Sequence, residues 1–257
     1  RQVHDTVSIL LAAGIDPQRS LLFRQSDVAE HAYLCWLLAN VTSFGELRRM
    51  HQFKEKSEQQ REFVSAGLFF YPVLQAADIL AYQTDEVPVG EDQKQHIEMA
   101  RTVAERFNSR FGNVFTVPHH RIPEVGARIL DLQDPEKKMS TTGGSDQGTV
   151  FILDQPDAIA RKFKSAVTDS GNEIRRAPDK RGISNLIEIM AVARGITPED
   201  VEGEYASDPG YARFKEDVGS VVTEYLRPIR ERYEVIRPDE SHLESILGEG
   251  AVKARAI

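Results

Sequence analysis

Cysteine is almost absent from this sequence: Cys35 is the single one in 257 residues, so no internal disulfide can form and packing must hold the fold. Its apolar neighbours Leu34 and Trp36 make it read as a small core residue in a reducing compartment. Long hydrophobic runs are missing too. None approaches the roughly 18 residues that cross a bilayer, and no signal-peptide pattern opens the chain, so a cytoplasmic protein with no membrane partner is expected. Positive charge is in the minority, with 32 Lys and Arg against 40 Asp and Glu and a formal charge of -8. This balance excludes a general attraction to nucleic acid and leaves any RNA contact to a local basic patch. Internal repeats and low-complexity tracts are absent as well.

What is present suffices for one good core and a second, smaller one, since 40% of the residues are hydrophobic. Arg1 to Ile15 opens mid-rhythm as an amphipathic helix with Val3, Val7, Leu10 and Leu11 on one face, which points to sequence upstream. Ser20 to Phe23, Glu86 to Val89 and Val114 to Val117 are strand candidates. Helices are predicted over His31 to Val41, Phe44 to Ser57, Val64 to Tyr82 and Glu91 to Phe111. Strands alternating with helices imply a parallel sheet whose ligands sit beyond the carboxyl ends of its strands. After Asp131 the rhythm changes. Lys137 to Gly148 is a polar, Gly-rich loop, and helices start near Pro156 and at Thr197-Pro198. The chain therefore divides into an α/β part at 1–133, a helical part at 134–233 and a closing helical segment at 234–257.

Three segments carry candidate chemistry. On the helix Val64 to Tyr82, the residues Tyr71, Gln75, Asp78 and Tyr82 share one face. A carboxylate on an apolar helix requires donors, so Asp78 has a partner either in a neighbouring helix or in a ligand. Pro72 suggests that the regular helix begins there. The second segment, Val87 to His96, is a strand that ends in Gly90 and is followed by Glu91, Asp92 and Gln93. These residues either meet a ligand at the sheet's crevice or merely complement a helix dipole. The third, Lys137 to Gly144, places two lysines and three hydroxyls on a loop that either closes over phosphates or only links two domains.

Together these segments resemble the bacterial-type tryptophanyl-tRNA synthetases of class I. Val87 to His96 matches the signature of that family, and Lys138 to Thr142 stands in the place of its loop written KMSKS. Phe53 to Ser57, Tyr71 to Leu80, Gly126 to Ile129 and Ala166 to Ser170 match as well, so the similarity covers essentially the whole chain. The resemblance implies a Rossmann-like doubly wound parallel sheet with a second, all-helical anticodon-binding domain. The first strand and an ATP-gripping histidine motif are expected upstream of Arg1.

The resemblance also implies that tryptophan is activated with Mg2+-ATP and transferred to tRNA(Trp) by a homodimer. Carried over by position, Asp78 accepts the indole N–H, and Tyr71 and Gln93 hold the ammonium and carboxylate end. Val87, Val89 and Gln75 line the tryptophan pocket. Gly90 and Asp92 meet the ribose of ATP and Ile129 its adenine. Lys56, Lys138 and Ser140 are the catalytic contacts to phosphate, and Met139 and Thr141 complete the ATP loop. This sequence departs from the family at Thr141, where a second lysine is usual, and at Gln75, where methionine is common. The set Tyr, Gln, Asp is also similar to tyrosyl-tRNA synthetases, which makes tyrosine the alternative substrate. The departure at Thr141 and the histidine motif not found in this sequence allow a third reading, a paralogue that binds tryptophan or RNA without charging. For RNA, Arg161 to Arg181 holds seven basic residues against three acidic ones, and the resemblance places tRNA contacts in that half.

Overall fold

A computed structural model describes residues 2–59, 63–123, 126, 128–141, 144–207 and 209–257, without the side chains of residues 55, 56, 58 and 59. Helix α1 (Gln2–Ala13) forms as its apolar spacing predicts, but the buried residues are Val7, Ser8 and Ala12, while Val3 and Leu10 stay exposed. The face is set by charged anchors. Arg237 Nε donates to Asp5 Oδ1 and Arg232 Nε to the Ala12 carbonyl, both at 2.5 Å. Ser20 to Phe23, predicted as a strand, is irregular and has no ladder partner among the described residues. An apolar run supplies a strand's composition, but the ladder needs a neighbour in register.

Helix α2 (Glu30–Ala39) buries Cys35 and Leu38. The single helix predicted over Phe44 to Ser57 is two, α3 (Phe44–Arg49) and α4 (His51–Gln59), because Met50 between them takes a ψ of 129°, far outside the helical range. Helix α5 (Ala66–Leu80) starts at Ser65, whose Oγ accepts from the Leu68 N–H at 3.1 Å. Pro72 lies inside α5 rather than at its start. It forfeits one backbone bond, which the burial of Val73, Ala76, Ala77 and Leu80 offsets.

Strand β1 (Glu86–Pro88) pairs in parallel with β2 (His119–Arg121), Val87 opposite His120. Between them a tight turn at Glu91–Gln93 leads into α6 (Lys94–Phe111), completing a βαβ unit. The strand predicted at Val114 to Val117 is displaced to β2. Side-chain amides claim the earlier residues instead: Asn108 Oδ1 accepts from the N–H groups of Val114 and Phe115 at 3.0 and 2.9 Å, and Gln83 Oε1 accepts from Thr116 at 2.8 Å. Beyond the sheet come α7 (Pro156–Lys164), α8 (Arg181–Arg194), α9 (Pro198–Tyr205), α10 (Tyr211–Ile236) and α11 (Glu240–Arg255). Helices α7 and α9 begin at their prolines as predicted, and Thr197 Oγ1 caps α9 by accepting from the Asp200 N–H at 3.2 Å.

Two compact units divide the chain, and neither is a single stretch. One holds residues 16–123 and 241–257 around Leu38, Val73, Leu80, Ile97 and Val103. Helix α11 belongs to it. Gly250 lies against the Leu22 backbone, where an added Cβ would sit 2.0 Å from the carbonyl oxygen, and Arg24 forks onto Glu244 at 3.2 and 3.0 Å. The other unit holds residues 1–15 and 124–240 around Ile159, Phe163, Ile187 and Phe214. The linear division is therefore redrawn: α1 joins the helical unit, α11 joins the α/β unit, and the boundary predicted at 233 falls inside the unbroken α10.

Candidate active site

Helix α5 is apolar where it meets the core and polar along the stripe predicted from its spacing, which Tyr82 extends just past its end. Asp78 is half-buried on that stripe and finds its partners at once. Gln25 Nε2 donates to Oδ2 at 2.6 Å, and His31 Nδ1 lies 2.7 Å from Oδ1. Burial pushes the Asp78 carboxyl above its ordinary range, while His31 and the hydrogen bond from Gln25 pull the other way. His31 also sits 2.5 Å from the Tyr82 hydroxyl through Nε2. Asp78, His31, Tyr82 and Gln25 line an open cavity of about 580 Å3 together with Leu21, Phe23 and Ile257.

The other polar groups of the stripe form a second cluster in the same unit. The Tyr71 hydroxyl donates to Gln52 Oε1 at 3.0 Å and lies 2.9 Å from His96 Nε2, and burial raises its pKa. Gln75 Nε2 reaches Gln93 Oε1 at 3.4 Å, and Gln93 Nε2 donates to Asp92 Oδ2 at 3.1 Å. Val87 on β1 and Val89 just beyond it are half-buried against the unit's core. Gly90, at φ -75°, has a backbone open to any residue, so no positive φ demands glycine there. The α5 stripe and the segment 87–93 thus meet through Gln75 and Gln93. Reading the sequence missed Gln25, His31, Gln52 and His96. The requirement that a buried carboxylate have donors was a signal for the first two, but nothing in the spacing showed which residues would supply them.

The phosphate-loop candidates belong to the other unit. Leu130 and Lys138 form an antiparallel bridge, and the Met139 N–H donates to the Ile129 carbonyl at 2.9 Å, so Ile129 and Lys138-Met139 come together. Past Ser140 the loop is tied from behind: Thr149 Oγ1 donates to the Ser140 carbonyl at 3.1 Å. Lys162, only 3% exposed, donates from Nζ to the Thr149 carbonyl and to Asp154 Oδ2, both at 2.8 Å. Gly148 packs on the Asp131 carboxylate, whose Oδ1 would lie 1.9 Å from an added Cβ. Thr141 is exposed, Thr142 and Gly143 lie outside the described residues, and so does the side chain of Lys56 on α4.

The basic stretch does not offer the surface its composition suggests. Of its seven cations, Lys162 pairs with Asp154, Arg175 with Glu173, Arg176 with Glu188, Glu199 and Glu202, Lys180 with Asp169, and Arg181 with Glu136. Arg161 and Lys164 remain exposed on α7. Charge alone therefore marks no broad phosphate track there.

Comparison with known proteins bears on this geometry. A family model described as tRNA synthetases class I (W and Y) matches residues 1–227. A curated tryptophan–tRNA ligase of Wolinella succinogenes is 47% identical over 256 residues, covering 100% of this chain and 78% of the relative. The crystal structure of tryptophanyl-tRNA synthetase from Mycoplasma pneumoniae superposes with a TM-score of 0.90 at 34% identity, covering 98% of this chain and 77% of the other. A second, from Campylobacter jejuni and complexed with ADP and tryptophan, gives a TM-score of 0.75 at 35% identity with the same coverage.

Proposed function

From the premise that this chain belongs to the class I tRNA synthetases of the tryptophan and tyrosine group, we propose how its residues divide the work of activating tryptophan. The function is that of a tryptophan–tRNA ligase. The tryptophan carboxylate attacks the α-phosphate of ATP, pyrophosphate leaves, and the terminal hydroxyl of tRNA then takes the acyl group from the adenylate. Relatives along the whole chain are tryptophan ligases, so tyrosine recedes as the alternative substrate. Positioning and charge stabilisation supply the acceleration, with no covalent enzyme nucleophile needed.

Asp78 is the observation that carries the assignment of roles. It is a half-buried carboxylate that faces a cavity, and tryptophan offers it a single N–H on an otherwise apolar ring. Tyr71 and Gln93 take the ammonium and carboxylate end, with Gln75 beside Gln93 and Val87 and Val89 as apolar wall. Gly90 and Asp92 receive the ribose, and Ile129 the adenine. Lys138, Met139, Ser140 and Thr141 form the loop over the phosphates, with Lys56 as a further cation. Mg2+ enters as part of the ATP substrate, held by phosphate oxygens. No helix among the described residues is long and apolar enough to cross a membrane. By its likeness to the tryptophan–tRNA ligases, we place the enzyme in the cytoplasm as a homodimer.

The test is pyrophosphate exchange with tryptophan and phenylalanine. Asp78→Ala should cost about 2 to 3 kcal/mol in kcat/KM for tryptophan, the scale of a hydrogen bond to a charged group, and should erase most of the preference over phenylalanine. An unchanged ratio would show that Asp78 only braces α5.

A further inference from the structure

Asp78 shares its cavity with His31, Tyr82 and Phe23, and of these the sequence had marked only Tyr82, on the same helix face. His31 is 4% exposed, with Nδ1 2.7 Å from Asp78 Oδ1 and Nε2 2.5 Å from the Tyr82 hydroxyl. Phe23 holds both rings, edge-on to His31 at 5.8 Å and tilted on Tyr82 at 5.7 Å. We propose that His31 and Tyr82 are positioning residues for amino-acid selection, locking one imidazole tautomer so that Asp78 is presented as an acceptor to the indole N–H.

The hydrogen-bond inventory supports this order. A neutral imidazole has one N–H and one lone pair, an ionised carboxylate only accepts, and a phenol can donate. If Nε2 carried the proton, the Nδ1 lone pair would face a carboxylate oxygen at 2.7 Å, which is repulsive. With the proton on Nδ1 the contact is attractive, and Nε2 accepts from Tyr82. Tyr82 thus sets the tautomer, and His31 sets the orientation of Asp78. Gln25 fixes the other oxygen at 2.6 Å. A carboxylate oxygen carries two lone pairs, so Asp78, met by one donor at each oxygen, retains acceptor capacity for a single further N–H. A phenyl ring brings no donor and leaves that capacity unused.

The proposal rests on the reading of Asp78 as the indole acceptor, and one experiment separates the two. Exchange kinetics with tryptophan and phenylalanine are measured for His31→Leu, His31→Asn, Tyr82→Phe and Asp78→Asn in the otherwise intact enzyme. His31→Leu should raise the tryptophan KM about tenfold with kcat within about twofold, and lower the tryptophan-to-phenylalanine ratio about tenfold. His31→Asn, whose amide N–H stands near the place of Nδ1, should recover most of that ratio. Tyr82→Phe should shift it about threefold in the same direction as His31→Leu. A His31→Leu enzyme that loses kcat for both amino acids alike, at an unchanged ratio, would overturn the positioning role. If Asp78→Asn collapses the ratio while the His31 and Tyr82 variants keep it, the relay fails and the acceptor reading stands. If Asp78→Asn itself keeps the ratio, both fall.

Discussion

The Asp78 cluster and the Lys138 loop solve opposite problems. Around Asp78 the functional group is held by side chains, Gln25 at one oxygen, His31 at the other and, one step removed, Tyr82. Around Lys138 it is the main chain that is held, by the bridge to Leu130 and by the Thr149 hydroxyl on the Ser140 carbonyl, and Thr141 is exposed. A group that must select a ring among similar rings profits from a fixed acceptor. A loop that meets developing charge on a leaving pyrophosphate profits from side chains that move with the reaction on a base that does not. The difference predicts that substitutions at the first site change specificity, whereas substitutions at the second change rate or stability.

The largest expected effect tests the base of the loop. Lys162→Met removes the buried cation and leaves Asp154 with only the Phe151 N–H, which should cost about 3 kcal/mol of stability, and exchange activity should fall while the amino-acid preference stays. Calorimetry and the tryptophan-to-phenylalanine ratio check this together. A changed ratio would blur the division between the two sites.

Gly148→Ala comes next. Its Cβ would lie 1.9 Å from Asp131 Oδ1, which also accepts the N–H groups of Gln133 and Asp134 at 2.8 and 3.1 Å. The turn cannot absorb a methyl group without moving, and a loss of about 2 kcal/mol is expected by denaturant titration. An unaltered midpoint would mean that Asp131 swings away freely.

Thr141→Lys sharpens the contrast from the other side. A cation added on a mobile loop acts on charge that forms late, so adenylate formation should quicken about tenfold, a gain of ~1.4 kcal/mol in the barrier, with tryptophan affinity unchanged. Single-turnover kinetics read the two separately. A change confined to tryptophan affinity would defeat the idea.

The smallest effect belongs to the scaffold under the Asp78 unit. Arg106 forks onto Glu46 at 3.0 and 2.7 Å and holds its carboxyl below the usual carboxylate range. A depressed folded pKa contributes stability that is fully present above the unfolded value, near 4.3, and is lost as the pH falls through the folded one. Glu46→Gln should therefore cost about 1 kcal/mol at neutral pH and flatten the loss of stability below about pH 4.5. Equal slopes for both proteins would show that the pair contributes nothing.

The sequence by itself determined the local matters. Periodicity located most helices, although Phe44 to Ser57 broke in two at Met50, and the proline starts of α7 and α9 and the alternation that yields the parallel pair were legible in advance. So was the α5 stripe, because a helix repeat places Tyr71, Gln75 and Asp78 on one face whatever surrounds it. The wording of Val87 to His96 and of Lys138 to Thr142 pointed to the family before any fold was known. Tertiary structure decided whatever depends on partners distant in the chain. It moved the third predicted strand to His119–Arg121, because the amides of Asn108 and Gln83 occupied the residues before it. It assigned α1 and α11 to units that lie far off along the chain. It neutralised most of the basic stretch with carboxylates up to 45 residues away. It also gave Asp78 its donors, since Gln25 lies 53 residues from it in sequence. Hydrogen-bond capacity is a property of a residue and can be read from its name, whereas the partner that satisfies it is a property of distance, which only the folded chain supplies.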